Sequence, residues 1–280
     1  MDLTRQVKCA QMDLLTELHR ICEKWGIPYF LIGGTLIGAI RHEGFIPWDD
    51  DIDVGMLRKD YDRFWQVCRQ ELDEAYILHD WHTDPYAPNP FAKLKIRGTH
   101  YPEEISGKSK MDDGIFIDIF PFDNTPSEPR LRKKQARQMR ICRKVLLVRC
   151  GFTLGKGSFA KKLVYGLLKI GSCFRSVKGW KNRGDRIQNR YNHMETETVT
   201  NMGGSYSYER ESHPRAELAE TVLHKFEQGM FRIPKGYDSL LRRCYGDYMK
   251  LPPESQRVGV HHVQNIDLGS YQVRYNHPTN

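Results

Sequence analysis

The chain has 280 residues, of which 39% are hydrophobic and 28% charged, and a net charge of +8; it is long enough to bury a core without disulfides or structural metal, as one large domain or two small ones. Its seven cysteines are scattered, odd in number and free of any CxxC pair, which argues against a disulfide framework or a zinc module and points to a reducing cytoplasm. The segment MDLTRQVKCAQMDLLTELHRICEKWG carries acids and helical periodicity instead of a basic leader, and no run approaches the roughly 18 apolar residues of a spanning helix.

Leu3, Val7, Ala10, Leu14, Leu18 and Ile21 recur at three- and four-residue steps, which predicts an amphipathic helix over 3–24 ending near Gly26. Tyr29 to Ile32 reads as a short strand running into Gly33-Gly34, and Leu36 to Arg41 as a short helix whose N-terminus faces that turn. Asp51 to Gly55 and Gly114 to Phe120 alternate polar and apolar residues, so both read as strands of one sheet, with Pro121 stopping the second. Between them, Tyr61 to Leu72 is a predicted helix and Phe91 to Ile96 a third alternating strand. The order implies an α/β (α+β) fold, a mixed sheet flanked by helices.

Beyond Pro126 the texture changes. Residues 130–150 form a basic helical stretch, 151–157 interrupt it, and Phe159 to Phe174 set Leu163, Leu167, Ile170 and Phe174 on one side with Lys161, Lys162 and Lys169 off it, the pattern of an interfacial helix. From Arg130 to Arg190, 19 Lys and Arg face one acid, Asp185, so this segment carries +18 and the remainder of the chain −10. Such a segment attracts polyanions: nucleic acid, anionic headgroups or a phosphate-rich polymer. Thr221 to Gly229 and Gly236 to Met249 are predicted helices, the latter ended by Leu251-Pro252-Pro253. The expected organisation is a catalytic core over 1–125, a basic helical insertion over 126–190, and a helical part over 191–280 that completes the catalytic domain.

Chemistry enters through the carboxylates. On a strand Asp51 and Asp53 point the same way, and two acids on one face repel unless a cation sits between them. Hard oxygen ligands suit Mg²⁺ or Mn²⁺, which bind substrate phosphates through a few carboxylates. Asp118 stands alone in an apolar strand, an expensive place for a charge unless it is paired or metal-bound, which motivates placing it beside Asp51 and Asp53. Two metals about 3.5 to 4 Å apart could then serve an in-line displacement at phosphorus. Gly33 and Gly34 would let backbone amides approach phosphate oxygens, helped by the following helix N-terminus.

The strings GGTLIGAIRHEGFIPWDDDIDVGM, GIFIDIFPFD and IPKGYDSLLRRCYGDYMKLPPESQR, the last followed by His261-His262, resemble the LicD family of phosphotransferases over roughly 14–125 and 217–262. The resemblance implies a nucleotidyltransferase-type fold and transfer of phosphocholine, or a related phospho-substituent, from a CDP-linked donor to a sugar hydroxyl on teichoic acid, capsule or lipopolysaccharide; fukutin-like members use CDP-ribitol. It implies that Gly33, Gly34 and Thr35 hold donor phosphate, that Asp51 and Asp53 bind metal, and that Asp118 completes the metal site and takes the acceptor hydroxyl's proton. Lys93, Lys95 and Arg41 are candidate phosphate partners. Trp48, beside the acidic cluster, is the candidate wall for a quaternary ammonium. His261 and His262 match the family's terminal pair, with structural, solvent-facing and metal-binding readings all open.

Two other functions fit the residues less well. Nucleotidyl transfer would use the same acids to attach NMP to an alcohol. A non-catalytic RNA- or membrane-binding module would use the basic segment alone, yet RNA readers interleave stacking aromatics with their cations, and no nucleic-acid partner is expected. The expected partners are a CDP-linked donor, a glycan or lipid-linked glycan acceptor, and an anionic membrane touched peripherally from the cytoplasmic side.

Overall fold

In chain order the elements are α1 (Leu3–Trp25), β1 (Phe30–Leu31), α2 (Gly33–His42), β2 (Asp53–Leu57), α3 (Arg58–Glu71), β3 (Tyr76–His79), β4 (Ala92–Ile96), β5 (Phe116–Asn124), α4 (Pro129–Arg149), α5 (Phe159–Gly171), α6 (Val177–Gln188), β6 (Thr198–Asn201), β7 (Ser212–Pro214), α7 (Arg215–Ala219), β8 (Thr221–Phe226), β9 (Gly229–Pro234) and α8 (Tyr237–Tyr245). The structure, a computed structural model, describes residues 3–106, 109–152, 159–257 and 265–274.

The apolar stripe of α1 folds as its spacing dictates: Val7, Ala10, Leu14, Leu18 and Ile21 are buried, and each fully buried Leu or Ile side chain contributes about 1.5 to 3 kcal/mol. They join Phe30, Val54, Phe64, Leu94, Ile117 and Ile119 in the main core. The sheet is mixed, running β1-β2-β5-β4-β3, with β6 on β5 and β7 on β6. β2 and β5 are parallel, and the other pairs in the sheet are antiparallel.

β5 differs from the sequence expectation, because it runs through Pro121 to Asn124. One of its edges pairs with β4 only as far as Ile119 and resumes with β6 at Phe122. Pro121 falls in the gap where no amide is required, so the ring breaks no ladder bond. The expected helix over 221–229 is instead the β8–β9 hairpin, whose strands close at Phe226 and Gly229. Thr221, Val222 and Phe226 favour a half-exposed strand, and Glu227 turns the chain at φ 56. Residues 198–234 are therefore richer in strand than the sequence reading held, while α8 forms where a helix is expected but ends at Tyr245, short of the expected Met249, because Gly246 at φ 69 turns the chain before the prolines.

A second cluster joins Met139, Cys142, Val145 and Leu146 of α4 to Trp180 and Ile187 of α6 and to Trp81. Polar ties fix the basic segment to the body: Lys181 Nζ donates to the carbonyls of Asp84 and Pro85, and Trp81 Nε1 to Asp185. All seven cysteines are free; Cys173 is exposed and the other six are buried.

Candidate active site

Strand register builds the centre of the site. Asp53 of β2 lies opposite Asp118 of β5, and Asp118 lies opposite Lys93 of β4, so three neighbouring strands present acid, acid and base in a row. Lys93 Nζ stands 2.8 Å from Asp118 Oδ1 and 3.9 Å from Glu103 Oε2, and 3.2 Å from the centroid of the Phe116 ring. Burial pushes the Asp118 carboxyl up to about 6 against the opposing pull of Lys93, with Glu103 and Asp51 adding repulsion.

The glycine turn faces these acids. Gly33, at φ 60, lies so close to Asp53 that a Cβ there would sit 2.7 Å from its Oδ2, and a Cβ on Gly34 would sit 2.3 Å from Asp49 Oδ2. Thr35 Oγ1 accepts the Asp53 amide at 2.9 Å, and the Ile32 amide donates to the Asp53 carbonyl at 3.1 Å. The turn and β2 are thus tied together where the carboxylates emerge.

Asp49, Asp50 and Asp51 precede β2 in a loop, and one oxygen of each lies within 4.8 Å of the others. Because β2 begins at Asp53, Asp51 reaches the site from the loop and not by strand alternation. Burial, with Asp51 and Asp50 adjacent and Lys8 opposing, pushes Asp49 up to about 7.

Gly33, Gly34, Asp49, Asp51, Asp53, Lys93, Glu103 and Asp118 line one cavity of about 800 Å³, together with Arg41 and Trp48. Arg41 Nη1 donates to the Tyr248 carbonyl at 2.6 Å, and the proximity of Arg257 adds to burial in lowering its pKa. The Arg257 guanidinium stands 5.6 Å from the Trp48 ring centroid, so a cation already covers the ring expected to enclose one. On another wall Tyr206 and Tyr245 meet edge to face at 5.6 Å, with the Arg210 guanidinium 3.8 Å from the Tyr206 ring.

Two expected site residues do not reach the cavity. Thr35 is buried behind the turn with its hydroxyl committed to Asp53. Lys95 shares a strand face with Lys93, but it is 1% exposed and its ammonium donates to the Asp112 carbonyl, with Asp112 Oδ1 at 3.4 Å. His261 and His262 lie outside the described residues. Asp49, Glu103, Arg143, Glu211 and His213 line the cavity without having been singled out as site residues. Asp49 was legible in the acidic run, whereas Glu103 and Glu211 carry no motif of their own.

His213 has a measurable consequence. Its Nδ1 accepts from Arg243 Nη1 at 3.1 Å, and burial together with Arg243 lowers its pKa from 6.5 to about 4. A base whose folded pKa is depressed contributes stability that is full above its unfolded pKa and is lost as pH falls through the folded one. Between pH 6.5 and 4 the fold should lose about 3 kcal/mol through this group. His213→Gln should flatten that part of the stability profile in denaturant titrations; an unchanged slope would remove His213 from the account.

A mixed sheet that sets strand carboxylates against a glycine turn inside a cavity defines a group-transfer site. Residues 26–146 match the family described as LicD/FKTN/FKRP, nucleotidyltransferase domain. The chain is 36% identical over 270 residues to lipopolysaccharide cholinephosphotransferase LicD of Haemophilus influenzae, covering 93% of this chain and 96% of that protein. It is 48% identical over 102 residues to human ribitol 5-phosphate transferase FKRP, covering 36% of this chain and 18% of that one. The chain belongs to the LicD family and is a phosphotransferase of that type.

Proposed function

We propose that this enzyme transfers phosphocholine, or a related substituted phosphate, from a CDP-linked donor to a sugar hydroxyl of a cell-surface glycan, lipopolysaccharide being the first acceptor to test. The reading rests on one observation above the rest: Asp53 and Asp118, register partners on β2 and β5, face the Gly33-Gly34 turn within one cavity. Near-complete coverage of a cholinephosphotransferase favours choline, while the shorter match to a ribitol 5-phosphate transferase keeps CDP-ribitol in the donor panel.

The residues fit a divalent cation. Asp49, Asp50 and Asp51 gather carboxylate oxygens within 4.8 Å, and burial, with neighbouring carboxylates adding to it, raises both Asp49 and Asp118, a cost that a bound cation would relieve. Asp51, which belongs both to that cluster and to the cavity lined by Asp53 and Asp118, would hold Mg²⁺ or Mn²⁺ with those two acids, with Asp49 adjacent, and the ion when bound would neutralise charge on the reacting phosphate. Backbone amides of Gly33 and Gly34, at the N-terminus of α2, orient the donor phosphates. Arg41, with Arg257 near it, offsets the charge of departing CMP. Asp118, held by Lys93, takes the acceptor's proton as the hydroxyl oxygen bonds to phosphorus and the phosphorus–oxygen bond to CMP breaks. Thr35 acts through Asp53 instead of on phosphate.

Among the described residues no helix is long and apolar enough to cross a membrane. Leu167, Ile170 and Phe174 are 62%, 76% and 75% exposed, and with exposed Lys169 they offer a face for peripheral contact with anionic lipid at the cytoplasmic surface.

A donor panel tests the proposal. With Mg²⁺, CDP-choline should protect the protein from thermal unfolding, by about 2.7 kcal/mol at 100 times its Kd, and should release CMP when lipopolysaccharide is added; chelation should stop the release and added Mg²⁺ restore it. Consumption of CTP with pyrophosphate release would establish nucleotidyl transfer instead, and indifference to every nucleotide would favour a binding module.

A further inference from the structure

A groove of about 400 Å³ runs along α4 and the loop after β6, and it shares Arg143, Leu147, Asn201, Gly204 and Tyr206 with the catalytic cavity. Its α4 wall carries Lys133, Arg137, Arg140 and Lys144. These positions recur at four, three and four residues, which stacks them on one helix face over about 17 Å. All four are exposed, and among the described residues none has an ion pair or a side-chain hydrogen bond. One carboxylate, Glu209, stands among the lining residues, beside hydroxyls of Ser207 and Tyr208.

An ordinary solvated helix scatters its charges or pairs them at i, i+4. Here four of the six cations of α4 that are exposed and unpaired among the described residues stand on the wall of a groove that shares lining residues with the site, Arg130 and Lys134 being the two outside it. Arg143 fixes the junction, its Nη1 donating to the carbonyls of Met202 at 3.3 Å and Gly204 at 2.8 Å, so α4 and the loop after β6 stand in a set relation at the mouth. The groups proposed to hold the donor's phosphates, the glycine turn and Arg41, line the catalytic cavity and not this groove.

We infer that this groove is the acceptor track: an anionic glycan, bearing phosphate or carboxylate groups along its chain, lies against Lys133, Arg137, Arg140 and Lys144 and feeds its terminal hydroxyl past Arg143 toward Asp118. The inference rests on the proposed reading of the protein as a glycan-directed transferase. The apolar face of Leu167, Ile170 and Phe174 takes no part in the groove lining, so the track and the proposed membrane face are built from different residues.

Binding and kinetics test the track separately. Fluorescein-labelled short-chain inorganic polyphosphate is titrated by anisotropy into the wild-type protein, into Lys133→Gln/Arg137→Gln/Arg140→Gln, and into Lys59→Gln/Lys110→Gln/Lys178→Gln, exposed lysines outside α4, as a charge-matched control. The groove triple should bind about tenfold more weakly at low salt, with a shallower salt dependence, and the control should match wild type. In the transfer assay the triple should raise KM for phosphorylated lipopolysaccharide about tenfold while kcat and CDP-choline hydrolysis in water hold. Unchanged polyphosphate affinity in the triple, or an equal loss in the control, overturns the track. Loss of flotation with phosphatidylglycerol vesicles in the triple, with polyphosphate affinity intact, reassigns α4 to the membrane and overturns it as well. If wild type turns over no CDP-linked donor, the transferase reading falls while anisotropy still decides the groove.

Discussion

Asp118→Asn should reduce CMP release from CDP-choline about a thousandfold while the protein remains folded. The residue stands between Asp53 and Lys93 in adjacent strands, so the substitution removes at once a proposed metal ligand and the group proposed to receive the acceptor proton. Loss of one preorganised electrostatic partner at a reacting centre costs a hundredfold to about a thousandfold, and two roles in one carboxylate push toward the upper end. Stability should move little. Breaking a buried ion pair by deleting one partner costs about 3 to 5 kcal/mol, yet Asn keeps a carbonyl oxygen for Lys93, Glu103 remains 3.9 Å from the ammonium, and repulsion from Asp51 and Glu103 is relieved. A net loss of about 1 to 2 kcal/mol in urea titration is expected. Wild-type turnover in this variant would end the proposed mechanism, and a protein that cannot fold would show the pair to be structural first.

The second large effect is expected at the glycine turn. In Gly34→Ala the new Cβ would lie 2.3 Å from Asp49 Oδ2 and 3.2 Å from its Cγ, so the carboxylate must leave its place or the turn must open. Either displacement of about 1 Å at a positioned group lowers the rate about a hundredfold. Gly33→Ala adds a backbone cost, since φ 60 in a residue with a Cβ is unfavourable by about 1 to 2 kcal/mol. The two variants should therefore part company: both lose CMP release, and Gly33→Ala also shifts the denaturation midpoint. Full activity in Gly34→Ala would mean that Asp49 is free to move without consequence for donor binding.

Much of the site could be read from the chain because its residues cluster in short strings whose local geometry is fixed by residue type. Gly33-Gly34 needs no tertiary information to be recognised as a close-approach turn, and an isolated Asp118 in an apolar strand announces a partner. What the alternation rule could not supply was the partner's identity. Lys93 and Lys95 share a face of β4, and only the packing of 112–114 beneath that strand decides that one ammonium enters the cavity and the other is taken by Asp112. Thr35 illustrates the same limit, since a hydroxyl beside a glycine turn serves phosphate or backbone equally well until the Asp53 amide claims it. The β8–β9 hairpin replaces the helix predicted over 221–229, because Thr221 and Val222 are β-branched residues whose stability comes from pairing across the turn, which the segment alone does not show. Pro121 misled for a comparable reason: whether proline ends a strand depends on whether its neighbour asks for an amide at that point, which is a property of two other strands.

The pairing of Asn124 with Val199 at the end of β5 and near the start of β6 also bears on how such an enzyme diversifies. The chain departs from the sheet after Asn124 and returns to it beside the same residue, so everything between is a single excursion from one antiparallel pair. Insertions, losses or rewritten charge along α4, α5 and α6 leave the connections among β2, β4 and β5 untouched, and with them the row of Asp53, Asp118 and Lys93. With the proposed acceptor track on that excursion, acceptor preference and bond-making chemistry would be heritable largely as separate traits, Arg143 and Leu147 of α4 being the cavity-lining residues they share.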